Sequence, residues 1–339
     1  MNIFGLDIGS TSLKIAQVEK AGAKFKLASA GISPTPQPGL ASEAEVDLIA
    51  LATAIKKLHQ ESKITNKNVV TALPEGQIFT RVIELPQMNE NELVQAVPWE
   101  AEQFIPMPLS DVTLDWQIVS RGTPGKIEEK IKVFIVASPT ALVQKYVKIL
   151  EMAGFSVAAV ETEITAASRA LIPSTSPTTL LINLGAKSCD LAIVSKGQVV
   201  LTRSIPTAGE AFTRAVATAL SIEPTQAEEY KIAYGLGEDQ LEGKIKKAIT
   251  PVFDVVVSEV KKAIFAWREK EKEAISSIIL AGGTANLPQA GTFLTSELGL
   301  EVQIADPFGK LVSDPKLISA LRDKSPLFAV ALGLAEKEV

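Results

Sequence analysis

The sequence is poor in the two residue types that reactive and metal-binding sites use most often. Among its 339 residues there is one cysteine and one histidine. A histidine-dependent catalytic pair or a histidine metal cluster therefore has almost nothing to draw on. Cys189 lies within an apolar strand pattern, which favours a buried side chain over a reactive thiol. This sparse use of cysteine fits the cytoplasm, and we expect the protein to be located there.

The chain also lacks blocks of positive charge and long apolar runs. Lysine and arginine number 34 against 39 aspartate and glutamate residues, so the formal net charge is −5. Nucleic acid is therefore a poor candidate partner. No apolar run approaches the roughly 20 residues of a membrane-spanning helix, and the first residues lack the pattern of a signal peptide, so we expect no direct membrane insertion. With 46% hydrophobic residues, the chain has enough material for two or more compact units.

Residues 3–18 predict a β-hairpin whose turn is rich in small and hydroxyl residues. Apolar residues on both sides of the turn indicate two adjacent strands, so the turn does not start a helix and a P-loop is excluded. Gly9 lacks a side chain and lets the backbone approach a ligand closely. Ser10, Thr11 and Ser12 offer N–H and hydroxyl donors that suit phosphate oxygens.

Two charged residues flank this turn. Lys14 adds a positive charge within reach of a phosphate, and Asp7, at the end of the first strand, could hold a metal ion through water. Taken alone, a hairpin turn of this kind is more often an ordinary turn that binds nothing.

The same pattern recurs in the second half of the chain. After a segment rich in proline, serine and threonine at 172–178, an apolar strand ends at Asn183 and residues 189–194 predict the returning strand. The turn between them contains Gly185, Ala186 and Lys187. A third glycine-rich turn follows an apolar strand at 278–280 and carries Gly282, Gly283, Thr284 and Asn286. Together the three turns resemble the phosphate-1, phosphate-2 and adenosine motifs of the actin/Hsp70/sugar-kinase superfamily.

A small inserted unit is predicted at residues 86–155. Asn89 is a candidate N-cap and Glu92 its capping-box partner, so a helix should begin here and run toward Phe104. Pro98 should kink this helix or end its first half.

The rest of the insertion predicts two strands and a helix, which gives the unit the order αββα. The strands are predicted at 111–120 and 126–137 around a turn at 121–125, and the helix at 139–152. From Leu85 the sequence reads LPQMNENELVQAVPWEAEQFIPMP and continues to LDW. This spelling closely resembles the PilM family of type IV pilus assembly proteins, relatives of the cell-division protein FtsA. The resemblance covers essentially the whole chain, and the insertion is its most specific part.

The resemblance implies an α/β, actin-like fold, that is, a duplicated ribonuclease H-like two-domain fold that binds ATP and carries the αββα unit as a small inserted subdomain. The first core domain comprises residues 1–85, 156–177 and 322–339, and the inserted subdomain residues 86–155. The second core domain comprises residues 178–220 and 252–321, and a small subdomain residues 221–251.

Two helices are predicted from apolar spacing alone. The inward face of the first is set by Val46, Ile49, Ala50, Ile55 and Leu58. The second spans 245–267 and should break near Pro251.

The resemblance also implies ATP and Mg²⁺ as cofactors, with the nucleotide in a cleft between the two halves. Asp7 and Asn183 are the implied metal positions, both through water. The implied nucleotide-binding residues are Gly9, Ser10, Thr11, Ser12, Lys14, Gly185, Ala186, Lys187, Gly209, Glu210, Glu228, Lys231, Gly282, Gly283, Thr284 and Asn286. Glu228 and Lys231 depend on an AEE-x-K segment, which on its own pattern is an ordinary solvated amphipathic helix.

The partner implied by the resemblance is the cytoplasmic N-terminal peptide of PilN, which would keep the protein peripheral to the inner membrane. Other pilus assembly proteins, PilO, PilB or PilC, would be contacted indirectly, and self-association is a further option. A peptide groove between the insertion and the first domain is favoured by the density of apolar residues in so small a unit. These residues are Leu85, Met88, Trp99, Phe104 and Ile105. The alternative is that they form the core of the insertion.

The leading functional hypothesis is an ATP-binding adaptor of type IV pilus assembly. The alternatives are a metabolic kinase of the superfamily and a filament-forming protein like FtsA or MreB. We expect weak or absent ATP turnover, because the second hairpin opens with the neutral Asn183 where actin-like ATPases usually carry aspartate. Glu161 and Glu163, on the connection between the halves, are the remaining acidic candidates for positioning a water molecule.

Overall fold

Two five-stranded sheets with the same strand order form the frame of the molecule. The structure, a computed structural model, describes residues 2–22, 24–121, 130–238, 241–312 and 314–338. The first sheet contains, from edge to edge, β3 (Lys24–Pro34), β2 (Ser12–Ala21), β1 (Phe4–Ile8), β4 (Asn68–Leu73) and β8 (Ser156–Thr162). The second contains, in corresponding positions, β11 (Gln198–Ile205), β10 (Cys189–Ser195), β9 (Thr179–Leu184), β12 (Ser277–Ala281) and β13 (Val302–Ile304). The repeat predicted from two turns is thus a repeat of whole sheets.

Both predicted hairpins are confirmed. β1 and β2 are antiparallel and place Asp7 opposite Lys14, while β9 and β10 are antiparallel and place Asn183 opposite Asp190. β1 and β9 are buried along their whole length, because each lies in the middle of its sheet with both faces covered. Their turns therefore project from the centres of the two sheets.

Two helices, α1 (Glu45–Glu61) and α3 (Thr140–Met152), cover one face of the first sheet. The predicted inward face of α1 is wrong in part. Val46 is 71% and Ile49 49% exposed, and Ala50 is exposed as well. The buried side chains are Leu48, Leu51, Ala52, Ile55, Leu58 and His59. Because α1 carries two apolar stripes at helical spacing, periodicity alone does not decide which of them packs on the sheet.

The other face of the first sheet meets the second half of the molecule. Here α4 (Glu163–Leu171) and α10 (Ala329–Ala335) share one core with strands of both sheets. Their approach is close because the facing residues are small: a Cβ on Gly333 would lie 1.8 Å from the carbonyl oxygen of Ala166. The two halves are thus joined through tightly packed helices.

The inserted unit is built on a third, antiparallel sheet of order β5 (Phe79–Leu85), β7 (Ile131–Pro139) and β6 (Val112–Ser120). Its helix, α2 (Glu90–Glu102), begins with the predicted capping box of Asn89 and Glu92 and runs through Pro98. Leu93, Val97 and Ala101 of α2 pack with residues of β7 in a separate small core.

Two elements differ from the predicted αββα order. β5 precedes the predicted boundary at residue 86 but pairs with β7 along its whole length, so the sheet of the insertion has three strands. Helix α3 follows β7, yet its buried residues Tyr146, Ile149 and Leu150 lie in the core of the first sheet. The predicted turn at 121–125, apart from Arg121, and the predicted strand start at 126–129 lie outside the described residues.

In the second half, α5 (Gly209–Leu220), α6 (Pro224–Tyr234), α7 (Lys244–Glu271) and α8 (Ala290–Leu298) pack around the second sheet, and α9 (Pro315–Leu321) leads back toward α10. The break predicted near Pro251 is absent, since α7 runs through this residue. A proline within a helix removes one hydrogen bond and costs about 3 kcal/mol. Ile249 before it and Phe253 after it are buried in the same core, which holds both segments in one line. Among the described residues, no helix combines the length and apolarity that crossing a membrane requires.

Candidate functional site

A cleft of about 780 Å³ opens where the turns of the two central hairpins approach each other. Residues of both halves line it. It contains every predicted nucleotide and metal residue and Glu163: Asp7, Gly9, Ser10, Thr11, Ser12, Lys14, Glu163, Asn183, Gly185, Ala186, Lys187, Gly209, Glu210, Glu228, Lys231, Gly282, Gly283, Thr284 and Asn286. Residues as far apart in sequence as Asp7 and Asn286 are thus brought together, around a cleft whose volume suits a single small-molecule ligand.

Glu161 is the one predicted site residue that the structure does not bring to the cleft. Its carboxylate pairs with the Arg169 guanidinium at 2.6 Å and with Lys337 Nζ at 3.0 Å. The correction has a simple reason: β8 ends at Thr162 and α4 begins at Glu163, so the two glutamates leave the chain in different directions. Glu161 thus belongs to an ion-pair group beside α10.

The turn of the first hairpin is held from outside by the segment that follows β3. Thr35 Oγ1 donates to the carbonyl oxygen of Gly9 at 2.7 Å, and Gln37 Nε2 donates to that of Ser10 at 3.0 Å. Lys14 Nζ lies 3.1 Å from Asp7 Oδ2. A Cβ on Gly9 would lie 2.8 Å from Lys14 Nζ and 2.8 Å from the carbonyl oxygen of Ser12. The absence of a side chain at Gly9 therefore has two effects: it allows the tight packing within the turn, and it leaves the surface of the turn accessible to a ligand.

The turn of the second hairpin is tied to two other predicted motifs. The carbonyl oxygen of Gly185 accepts from Gly209 N at 3.2 Å and from Thr284 Oγ1 at 2.7 Å. Glu210 N donates to the carbonyl oxygen of Ala186 at 2.8 Å. The start of α5, the second hairpin and the third glycine turn thus form one connected frame.

Lys231, on α6, contacts this connected group of turns through the carbonyl oxygen of Gly209 and is buried. Its Nζ donates to Glu228 at 2.6 Å, to Thr213 Oγ1 at 3.0 Å and to the carbonyl oxygen of Gly209 at 3.2 Å. All three donors of the ammonium are therefore used within the protein. Next to it, Ile232 is 62% exposed and lines the cleft, a position that the sequence prediction did not include.

The two glycines of the third turn differ in what surrounds them. Gly282 has φ +92°, and a Cβ there would lie 2.4 Å from the carbonyl oxygen of Leu184, so the fold itself requires glycine. A Cβ on Gly283 would meet only the Leu327 side chain, at 3.9 Å. Gly283 therefore leaves open space in the cleft that the protein does not need for its own packing.

Asp190 is a cleft residue that the sequence prediction missed. Its carboxylate accepts from Ser188 Oγ at 2.9 Å and from Ser204 Oγ at 2.5 Å. Burial raises the pKa of Asp190 above its usual value, and the two serine hydrogen bonds oppose that shift. A signal was present in the sequence, because Asp190 follows Asn183 at the spacing by which Lys14 follows Asp7.

Two further carboxyls lie beside the cleft at the start of α4. Glu163 is half-buried, and burial, together with the charges of Asp7 and Asp190, raises its pKa well above the usual value. Glu75 is buried, accepts from Ile164 N at 3.2 Å, and has its pKa raised to about 8, chiefly by burial. Both acids are thus shifted toward the protonated form in the folded protein.

The carboxylates do not form a direct metal cage. Among the described residues, no three His, Cys, Asp or Glu side chains lie where they could share a metal ion. A small hard cation that keeps most of its water would still fit, because Mg²⁺ is commonly bound through one or two carboxylates and phosphate oxygens. Asp7, Asn183 and Asp190 offer such contacts around the cleft.

A family model described as "Type IV pilus assembly protein PilM" matches residues 5–339. The chain belongs to the PilM family. A solved structure titled "PilM-PilN type IV pilus biogenesis complex" superposes with a TM-score of 0.85 at 29% identity, covering 99% of this chain and 98% of that chain. The predicted family is thereby confirmed.

More distant relatives place the PilM family fold in a wider group. The cell division protein FtsA of Pseudomonas aeruginosa is 22% identical over 377 residues, covering 98% of this chain and 88% of FtsA. MreB 5 of Spiroplasma citri, solved bound to AMPPNP, superposes with a TM-score of 0.54 at 16% identity, covering 98% of this chain and 94% of that chain. The predicted actin-like fold is confirmed.

Proposed function

We propose that this chain is a cytoplasmic ATP-binding adaptor of type IV pilus assembly that binds the N-terminal cytoplasmic peptide of PilN and is held at the inner membrane through it. Membership of the PilM family supports the role in pilus assembly, and the likeness to the PilM–PilN complex supports PilN as the partner. The observation that carries the nucleotide-binding part is the cleft, in which the turns of two equivalent hairpins face each other. Indirect contacts with PilO, PilB or PilC and self-association stay predictions.

The donors around the cleft fit a nucleoside triphosphate. Hydroxyl and N–H groups at 10–12 suit phosphate oxygens, and Lys187, a lining residue on the opposite turn, has no ion-pair partner in the described part of the chain. The open space at Gly283 leaves room for a base, and the exposed side chain of Ile232 offers it an apolar contact. When bound, Mg²⁺ would neutralise phosphate charge, with Asp7, Asn183 and Asp190 holding its water ligands.

ATP in this cleft would act as a bridge between the domains. Each half supplies one of the two hairpin turns, so a ligand that contacts both favours the arrangement in which they are close. Its binding free energy then adds to the stability of that arrangement. We propose this bridging as the main use of ATP in the adaptor.

The surface proposed for the PilN peptide is narrower than the groove predicted from the sequence. Leu85 and Ile105 are buried in the core of the insertion, and Met88 and Phe104 pack against it in part, so the alternative of a simple core holds for these four. Trp99 is different, being 68% exposed on α2. Exposed aromatic side chains of this size are the residues that most often carry binding energy at interfaces. We therefore centre the peptide site on Trp99.

Isothermal titration of the full chain with a PilN N-terminal peptide tests this assignment. Trp99→Ala should weaken binding by about 30-fold or more, the loss expected for an interface hot spot. Phe265→Ala is the matched control, because Phe265 is 67% exposed on α7 in the second half and should leave the affinity unchanged. An equal effect of both substitutions would remove Trp99 from the site, and no binding by the unaltered protein would refute PilN as the partner.

The basis for weak ATP turnover changes with the structure. The prediction rested on Asn183, but Asp190 lies opposite it and lines the same cleft, so the second half does supply a carboxylate. Turnover in Asp190→Asn should fall below that of the unaltered chain, since Asp190 is a cleft acid able to position a water molecule. Equal phosphate release from both proteins would show that Asp190 has no part in any hydrolysis.

A further inference from the structure

Tyr146 occupies an unusual position in the cleft. It lies on α3, the helix that follows the last strand of the inserted sheet, and among the described residues it is the only tyrosine that lines the cleft. Its side chain is 1% exposed, and its ring packs in the core of the first sheet with Ile149 and Leu150. The ring is therefore fixed by its packing, and the small exposed fraction of the side chain borders the cleft.

The Tyr146 hydroxyl has no partner within the part of the protein that the structure describes. No hydrogen bond joins it to another described residue, and its oxygen is not among the buried polar atoms that are both unpaired and sealed from solvent. It therefore opens toward the cleft that the residue lines. Buried tyrosine hydroxyls usually find a partner, so an unpaired one facing a cleft indicates a donor kept for a ligand.

The charges around this hydroxyl define what it can bind. Burial, followed by the nearby carboxyls of Glu163 and Asp7, keeps the pKa of Tyr146 well above its usual value. The hydroxyl is therefore a donor and not a phenolate under all ordinary conditions. Asp7 lies next to the first hairpin turn and Glu163 starts α4. Both line the cleft together with Tyr146, so we assign the hydroxyl to the end of the cleft formed by the first hairpin turn, where the phosphates are proposed to lie.

We propose that Tyr146 is a further positioning residue of this site, whose hydroxyl donates a hydrogen bond to an oxygen at the terminal-phosphate end of a bound nucleoside triphosphate. The inference rests on the proposed nucleotide binding and adds to it a discrimination between ATP and ADP. Because α3 follows β7 of the inserted sheet directly after Pro139, Tyr146 also connects the occupied cleft with the insertion through the helix that leaves it.

Tyr146→Phe tests the proposal, since it removes one oxygen and keeps the ring in the core. Affinities of the full chain for Mg·ATP and Mg·ADP are measured by titration calorimetry, and the melting temperature is measured without nucleotide. We expect Tyr146→Phe to weaken Mg·ATP binding by about 10- to 100-fold, the loss of one hydrogen bond to a charged group. The affinity for Mg·ADP should change less than about twofold, and the ligand-free melting temperature should not change.

The matched control is Tyr234→Phe, which removes the same atom from α6 outside the residues that line the cleft and should alter neither affinity. If Tyr146→Phe changes the two affinities by the same factor, or leaves that for Mg·ATP unaltered, the proposal for Tyr146 is overturned while nucleotide binding stands. If the unaltered chain binds neither nucleotide, the proposed function fails and the role of Tyr146 fails with it.

Discussion

At the scale of single residues, substitutions at the two adjacent glycines of the third turn should affect different properties: one the stability of the fold, the other the affinity for ligand. Gly283→Ala should lower the affinity for ATP by about tenfold or more, because its Cβ enters open cleft space and meets only Leu327 at 3.9 Å. The melting temperature without ligand should stay the same. Gly282→Ala should instead destabilise the protein by about 2 to 4 kcal/mol, because its Cβ would lie 2.4 Å from a carbonyl oxygen at a positive φ.

Thermal unfolding of both variants, with and without ATP, distinguishes these effects. Gly283 is a better probe than Gly9, where a Cβ would lie 2.8 Å from the carbonyl oxygen of Ser12 and would disturb the turn itself. An unchanged ATP affinity in Gly283→Ala would place the ligand elsewhere in the cleft.

A second residue-scale prediction concerns pH and Glu75. Its pKa is raised from 4.5 to about 8, chiefly by burial and further by Asp190, against hydrogen bonds from Thr162 and Ile164. Between these two pH values the folded state holds a proton that the unfolded state has lost, so the free energy of unfolding falls as pH rises from about 4.5 to 8. Glu75→Gln has no proton to lose and can still accept from Ile164 N. The variant should therefore gain stability over the unaltered chain as pH rises, by at most about 5 kcal/mol at pH 8.

Denaturant unfolding of the two proteins at pH 5 and pH 8 measures this gain. The charge of Glu75 is one of the causes that raise the pKa of Glu163, so the comparison is repeated in a Glu163→Gln background, where only Glu75 differs. A difference in the free energy of unfolding that is the same at both pH values would contradict the assignment to Glu75.

At the scale of elements, ion pairs join the inserted sheet to the end of α7. Lys132 on β7 contacts both carboxylate oxygens of Glu271 at 2.6 and 2.7 Å, and Lys270 lies 3.1 Å from Glu84 on β5. Lys132→Glu should destabilise the chain by about 1 to 2 kcal/mol, because it would face Glu84 across the strand pair as well as Glu271. The double variant Lys132→Glu/Glu271→Lys should recover part of this loss, and denaturant unfolding of the four proteins of the cycle gives the coupling free energy. Additive effects would show that the insertion does not use this contact.

Sequence reasoning succeeded for elements whose signal is local. The hairpins and the capping box of α2 follow from alternation and from residues three positions apart. It failed where contacts with residues distant in sequence determine the structure. Which apolar stripe of α1 is buried, whether α7 continues through Pro251 and which sheet β5 joins all depend on the surface that each element packs against. The same holds in the site. Glu161 forms ion pairs with Arg169 and Lys337. Lys231 donates hydrogen bonds to Thr213 and neighbouring groups. Residue spacing in the sequence does not predict either set of contacts.

At the scale of the whole molecule, the cleft links two sheets that otherwise meet through α4 and α10. A ligand held by both hairpin turns should protect both from solvent at once, although they belong to different halves. We expect ATP with Mg²⁺ to slow amide hydrogen exchange in the turns at 9–12 and 185–188 to a similar extent, and to raise the free energy of unfolding by about 2.7 kcal/mol at 100 times the dissociation constant. The exposed stripe of α1 around Val46 and Ile49 serves as the internal control, because it lies outside the residues that line the cleft and should exchange at an unchanged rate. Protection confined to one turn would mean that ATP occupies one half without joining it to the other, and the bridging role would then be wrong even though nucleotide binds.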